Sequence, residues 1–150
     1  MLIRLLTAIL IAATVTAPAH AATPVEASAS FAQDLLHVPT YVVEGEVDFE
    51  DTTDDQTKIT GHFTQGYTQP NVEDYKWVLV NDAGKVVVDL TPDIRAIAEI
   101  APPEVGEFQF TYKTKVKDLL GLDFVVCQIV ELAGLKPCFE LGRAKIYKDR

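Results

Sequence analysis

The sequence predicts an all-β protein: a seven-stranded antiparallel Greek-key sandwich or flattened barrel with at most one short helix. Three observations carry that expectation. From Val38 onward, apolar and polar residues alternate with a period of two. Turn-forming clusters such as Asp51–Gln56 and Asn81-Asp82-Ala83-Gly84 break the alternation at sandwich-like spacing. Internal repeats and low-complexity tracts are absent.

The elements follow in order. In Tyr41–Glu50, residues Tyr41, Val43, Gly45, Val47 and Phe49 point one way, and Glu44, Glu46, Asp48 and Glu50 the other. That is a strand with one buried and one wet face. After the turn at Asp51–Gln56, Lys58–Gln65 alternates again with Ile59, Gly61 and Phe63 inward, which closes a hairpin. A longer loop, Gln65–Asn71, leads to the strand Tyr75–Val80, which carries the only tryptophan, Trp77. Lys85–Leu90 returns after a turn in which Gly84 makes a positive φ easy. Thr91-Pro92-Asp93 reads as a helix start, with a capping hydroxyl, a first-turn proline and an acid; Ile94, Ile97 and Ala98 would face the core. Ile94–Ile100 as a strand is the alternative, and Pro102-Pro103 ends either one. Glu107–Thr114 places Phe108, Phe110 and Tyr112 on one face. Leu122–Leu132 is apolar on both faces, as a central strand would be, and Ala144–Tyr147 is the last strand.

The ends and totals bound the setting. Arg4, an apolar run from Leu5 to Val15 and Ala19-His20-Ala21 read as a secretory signal peptide over residues 1–21, cleaved after Ala21. The run is far shorter than the roughly 20 residues a membrane-spanning helix needs, so no membrane insertion is expected after cleavage. Residues 22–37, rich in Ala and Ser with few apolar anchors, read as an N-terminal leader, and 38–150 as the sandwich domain. The net charge of −9 becomes −10 without Arg4. An acidic surface repels phosphate backbones and anionic headgroups, which argues against nucleic acid and membrane partners. Cys127 and Cys138 are the only cysteines. In an oxidising compartment they are expected to form a disulfide worth about 3 kcal/mol. The rival reading, a metal or catalytic thiol, lacks neighbouring histidines.

Few residues point to chemistry. Only His37 and His62 remain after cleavage, without a shared ligand spacing. Beyond Ser28 and Ser30 there is no serine, which removes the usual nucleophile. The acids Glu44, Glu46, Asp48, Glu50, Asp51, Asp54 and Asp55 are dense enough to suggest calcium, but they alternate along a strand as a solvated face does and lack a D-x-D-x-D-G loop. Asp89 and Glu131 are the only carboxylates set among apolar strand residues, where a raised pKa could serve glycoside hydrolysis; exposure or a basic partner is the simpler expectation. Trp77, Phe63, Phe108, Phe110 and Tyr112 read as core, with a ligand pocket between the sheets as the alternative.

Two stretches resemble the copper/zinc superoxide dismutase family. Val43-Glu-Gly-Glu-Val-Asp-Phe-Glu50 with Lys58-Ile-Thr-Gly-His-Phe63 is similar to that family's opening hairpin. Val130-Glu-Leu-Ala-Gly134 and Gly142-Arg-Ala-Lys-Ile-Tyr147 are similar to its segment leading into a G-R-A-x-V-V-H strand. The resemblance implies a Greek-key scaffold but not dismutation. Where the family's H-V-H pair holds copper, this chain has Trp77-Val78-Leu79, and where another copper histidine follows, it has Lys148. Pro102–Gly106 and Lys113–Gly121 stand in place of the zinc loop, and the family's last cysteine-bearing strand is not met before Arg150. Indole and aliphatic groups offer copper no lone pair.

The expectation is therefore a secreted, non-catalytic β-sandwich without cofactor or metal. It would act by binding an extracellular partner or as an extracellular structural component, through a sheet face or the loops Gln65–Asn71 and Ala101–Gly106. A small-molecule carrier with a cavity between the sheets and a secreted metalloenzyme with an unusual site are the alternatives.

Overall fold

A computed structural model describes Ala17, residues 23–38 and residues 40–150. The expected signal peptide and its cleavage point, Ala17 aside, lie outside the described residues.

The described residues form two antiparallel sheets and one short α-helix. The strands are β1 (Glu26–Phe31), β2 (Glu44–Asp51), β3 (Thr57–Gln65), β4 (Tyr75–Val80), β5 (Val86–Asp89), β6 (Ile100–Ala101), β7 (Glu104–Tyr112), β8 (Asp123–Ile129), β9 (Cys138–Lys145) and β10 (Tyr147–Lys148), with α1 (Thr91–Arg95) between β5 and β6. The first sheet has the order β10-β1-β2-β3-β7-β6 and the second β5-β4-β8-β9. The all-β sandwich expected from the alternation is present, with ten strands rather than seven. Six of the seven expected strands correspond to β2, β3, β4, β5, β7 and β8; the seventh, Ala144–Tyr147, straddles the end of β9 and the start of β10, so most of β9, together with β1 and β6, is additional.

The largest correction concerns β1. Residues 26–31, which read from sequence as part of a loosely anchored leader, pair along their whole length with β2, from Glu26 opposite Glu50 to Phe31 opposite Gly45. Ala27, Ala29 and Phe31 are buried while Glu26 and Ser30 are exposed. The period of two was there, but in alanine and serine, which carry little strand propensity. The sheets approach closely at the Phe31 end of this strand. A Cβ on Gly142 of β9 would sit 2.9 Å from Val43 Cβ and 3.3 Å from Phe31 Cδ1.

The helix also departs in detail. Thr91 does not cap it: its hydroxyl accepts from the Trp77 amide at 3.1 Å and donates to the Trp77 carbonyl at 3.2 Å, tying the helix start to β4. Leu90 occupies the cap position instead. Ile94 and Ala98 are buried as expected, but Ile97 is exposed because the helix ends at Arg95. The strand alternative for Ile94–Ile100 reduces to the two-residue β6.

Between the sheets lies an aromatic core. Phe31 meets Phe63 and Phe124 edge-on, with centroids 5.4 and 5.6 Å apart. Phe49, Phe63, Phe124, Tyr67, Tyr75 and Trp77 are all essentially inaccessible. Gly61 faces Phe108 across β3 and β7, and a Cβ there would collide with the ring. As expected, β8 is a central strand, with β4 on one side and β9 on the other, and Phe124–Cys127 are buried in an unbroken row.

Candidate functional site: a loop rim held from beneath

The loop that follows β3 folds back into the core through one residue. Tyr67 is 1% exposed, and its hydroxyl accepts from Trp77 Nε1 at 2.9 Å. Burial pushes its phenol pKa well above the ordinary 10.0, so the hydroxyl stays protonated. Its ring packs 4.7 Å from that of Tyr75. The Tyr75 hydroxyl in turn accepts from the amides of Thr68 and Gln69 at 3.0 and 2.9 Å. One buried phenol thus satisfies two consecutive loop amides that would otherwise need water.

Neighbouring elements complete the rim. The Tyr67 amide donates to the Pro103 carbonyl at 3.2 Å, which sets the loop after β3 beside Ala101–Gly106; that segment, expected to be a loop, is the tight β6–β7 hairpin, with only Pro102 and Pro103 between its paired strands. Asn71 accepts from the Glu73 amide at 3.1 Å and starts a 3-10 turn over Val72–Asp74. Arg95 then clamps that turn: Nε and Nη2 donate to the Tyr75 carbonyl, Nη2 to the Glu73 carbonyl and Nη1 to Glu73 Oε2 at 2.7 Å. Gln69, Pro70, Asn71, Pro102, Pro103 and Glu104 are left exposed on this fixed base. A cleft of about 400 Å³ adjoins it, lined by Glu73, Asp74, Lys76, Arg95, Glu131 and Lys136 among others.

Other anticipated residues fall elsewhere. His37 stacks on Tyr41 with centroids 4.0 Å apart. His62 is exposed on the outer face of the first sheet, opposite Glu46. Among the described residues, no group of three or more His, Cys, Asp or Glu side chains could hold a metal ion. The acidic cluster is dispersed: Glu50 pairs with Lys58, Asp55 with Lys115 at 2.8 Å, and Asp51 caps the Val116 amide at 2.8 Å. Asp89 is exposed and accepts from the Thr91 amide at 3.0 Å, while Glu131 lies exposed on the cleft. Trp77, Phe63 and Phe108 are core, and Phe110 and Tyr112 pack half-buried against it. Cys127 and Cys138 form a disulfide between β8 and β9, with Cα atoms 5.5 Å apart, leaving no free thiol.

A charged network on the outer face of the second sheet was not anticipated. Arg143 donates to both oxygens of Glu140 (2.8 and 3.0 Å) and to Asp123 at 2.9 Å. Lys145 reaches Asp123 and Asp82, and the Tyr41 hydroxyl donates to Glu140 at 2.6 Å. Burial alone would raise the Glu140 pKa, but the bonds from Arg143 and Tyr41 outweigh it and hold the carboxyl below its ordinary value. Burial and the Glu140 carboxylate raise that of Tyr41. The network fixes strands rather than presenting a reactive group, because its donors and acceptors are spent on one another.

The motifs of the dismutase resemblance have definite places. Val43–Glu50 and Lys58–Phe63 lie on the paired strands β2 and β3, with Val47 opposite Gly61. Trp77 and Leu79 point inward from β4 and are inaccessible, so indole and isobutyl groups fill that part of the core; Lys148 is exposed. Comparison with known proteins finds no matching family model, no matching curated protein and no matching solved structure.

Proposed function

We propose that the protein is a secreted, non-catalytic binding module that recognises an extracellular partner through the rim of Gln65–Asn71 and Ala101–Gly106. The observation that carries this reading is the Tyr67–Tyr75–Trp77 lock beneath the rim. A surface loop usually leaves its amides to water. This one spends three buried aromatic side chains on being held in a single shape. Pre-forming a loop lowers the entropy lost on association, which is what a recognition surface gains from such support. The inward Trp77 and Leu79 agree with the dismutase-like motifs belonging to a scaffold that holds no copper.

Amide hydrogen exchange tests the lock. In the native protein, Thr68 and Gln69 should be protected well beyond the exposed turn at Asp82–Gly84. Tyr75→Phe keeps the ring and deletes the acceptor; it should raise exchange at those two amides by at least about tenfold and cost about 1–2 kcal/mol of stability. Native amides at 68 and 69 that already exchange like free peptide would remove the proposal. So would stoichiometric copper or zinc in the purified protein together with superoxide dismutation.

A further inference from the structure

The two sulfurs of the disulfide sit in unlike places. Cys127 is 7% exposed on β8, an inner strand, whereas Cys138 is exposed at the start of β9, the last strand of its sheet. A thiolate opens a disulfide by striking one sulfur from the side opposite its partner, so access to that side decides which sulfur is attacked. Behind Cys138 is the flank of the sheet. Behind Cys127 is β4, with Lys76 directly across. The segment Tyr41–Val43 covers the β9 flank only further along, at Glu140 and Leu141.

The hairpin does not need the bond to stay closed. Gln128 pairs with Phe139, the Val130 amide donates to the Pro137 carbonyl at 3.1 Å, and Leu132 and Leu135 exchange bonds of 2.8 and 2.9 Å. The ladder therefore brackets the disulfide on both sides, and its opening is a local event. The register from Ile129 opposite Cys138 to Leu132 opposite Leu135 is unbroken, so Ile129, Glu131, Lys136 and Cys138 share one face. That face borders the cleft beside the rim.

The charges around Cys127 favour its departure. Lys76 has no ion-pair partner among the described residues, and a cation beside a sulfur stabilises the thiolate. Glu140, on the other side of Cys127, would oppose this, but Arg143 holds both its oxygens. We propose that the disulfide is a thiol-exchange site in the folded protein: a small thiol attacks Cys138, and Cys127 leaves beside the Lys76 ammonium. The thiolate sulfur forms a new S–S bond to Cys138 Sγ as the Cys127–Cys138 bond breaks. The electron pair departs on Cys127 Sγ, which takes a proton from water, and the adduct remains on Cys138 at the cleft. The inference does not rest on the rim reading, and its failure leaves that reading untouched.

Reduced glutathione added to the native protein, followed by acid quenching and peptide mass analysis, reads the exchange directly. The adduct should map to Cys138 at least about tenfold over Cys127. It should form while the near-ultraviolet signal of the aromatic core stays native. In the single-thiol variants, Cys127→Ser, which keeps Cys138, should react with oxidised glutathione at least about tenfold faster than Cys138→Ser. Lys76→Glu should slow opening of the native bond several-fold, and Lys76→Arg should preserve it. A bond that opens only as fast as the whole protein unfolds overturns the proposal. So does an adduct mapping to Cys127, or an opening rate that Lys76→Glu leaves unchanged.

Discussion

The outer faces of the two sheets show how one alternating pattern can have opposite electrostatic consequences. On the first sheet the register sets Glu26 directly across from Glu50, and Asp48 feels both Glu46 and Asp149. Partial desolvation on the sheet face first, then those two charges, raise the Asp48 carboxyl pKa above its ordinary 3.8. On the second sheet the register sets Lys145 directly across from Asp123, and Arg143 spans Asp123 and Glu140. There the Glu140 carboxyl is held below its ordinary range despite burial. Both faces read as polar residues opposite an apolar row; register decides which of them coheres. One sheet therefore tolerates its charge, and the other is clasped by it.

The largest break in that contrast is expected from Arg143→Ala. Exposed ion pairs contribute 0–1 kcal/mol and broken buried ones cost about 3–5. Asp123 and Glu140 are 14% and 24% exposed, so the loss falls between, at about 2 kcal/mol. Lys58→Ala, which breaks the half-exposed pair with Glu50 on the other sheet, should cost a few tenths. Urea unfolding of both variants checks this. Equal losses would mean that the two faces do not differ.

A second expectation sharpens the contrast through pH. A carboxyl whose folded pKa is depressed stabilises the protein above its unfolded value and loses that contribution as pH falls through the folded value. Glu140 should therefore support the fold fully above about its ordinary 4.5 and fade below it. Glu140→Gln keeps an acceptor for Tyr41 but removes the charge, and should cost about 1 kcal/mol at neutral pH. Scanning calorimetry should show the gap in Tm from the parent protein closing as pH drops below 4.5. A gap that widens there would contradict the sign.

How much of this could be read from the chain depends on whether partners are neighbours in sequence. Hairpins such as β2–β3 and β4–β5 announce themselves by alternation around a turn, and the Cys127–Cys138 pair has no competitor. β1 carries the same period in Ala27, Ala29, Ser28 and Ser30, whose small side chains hide it from any reading weighted by hydrophobic bulk. β6 and β10 are too short to show a period. Gln65–Asn71 is legible as a loop between alternating strands, whereas Ala101–Gly106 hides a two-residue turn between short paired segments. What fixes the rim, Tyr67 under Trp77 and Tyr75 under Thr68 and Gln69, depends on a chain reversal that no local pattern encodes. The Arg143 network needs the bulge at Val126/Cys127, which sets Glu140 across from Cys127, and a loop that brings Tyr41 to Glu140. Thr91 had the residue type of a cap but found a better partner in the Trp77 backbone.

The smallest expected effect probes the first sheet from the other side. A carboxyl whose folded pKa is raised costs stability above that value, and the cost disappears as pH falls through it. Asp48→Asn removes the charge that Glu46 and Asp149 oppose, and should stabilise the protein at neutral pH. Asp48 is exposed, so solvent screening reduces the gain to a few tenths of a kcal/mol. The gain should shrink toward zero under acid conditions, where the native aspartate is protonated in both states. Paired urea titrations at neutral and acid pH read the difference directly. The sign is opposite to that of Glu140→Gln on the facing sheet, so the two variants together separate a register that repels from one that pairs. Loss of stability in Asp48→Asn at neutral pH would mean that the carboxylate holds a favourable contact outweighing its neighbours, and the two faces would then be alike.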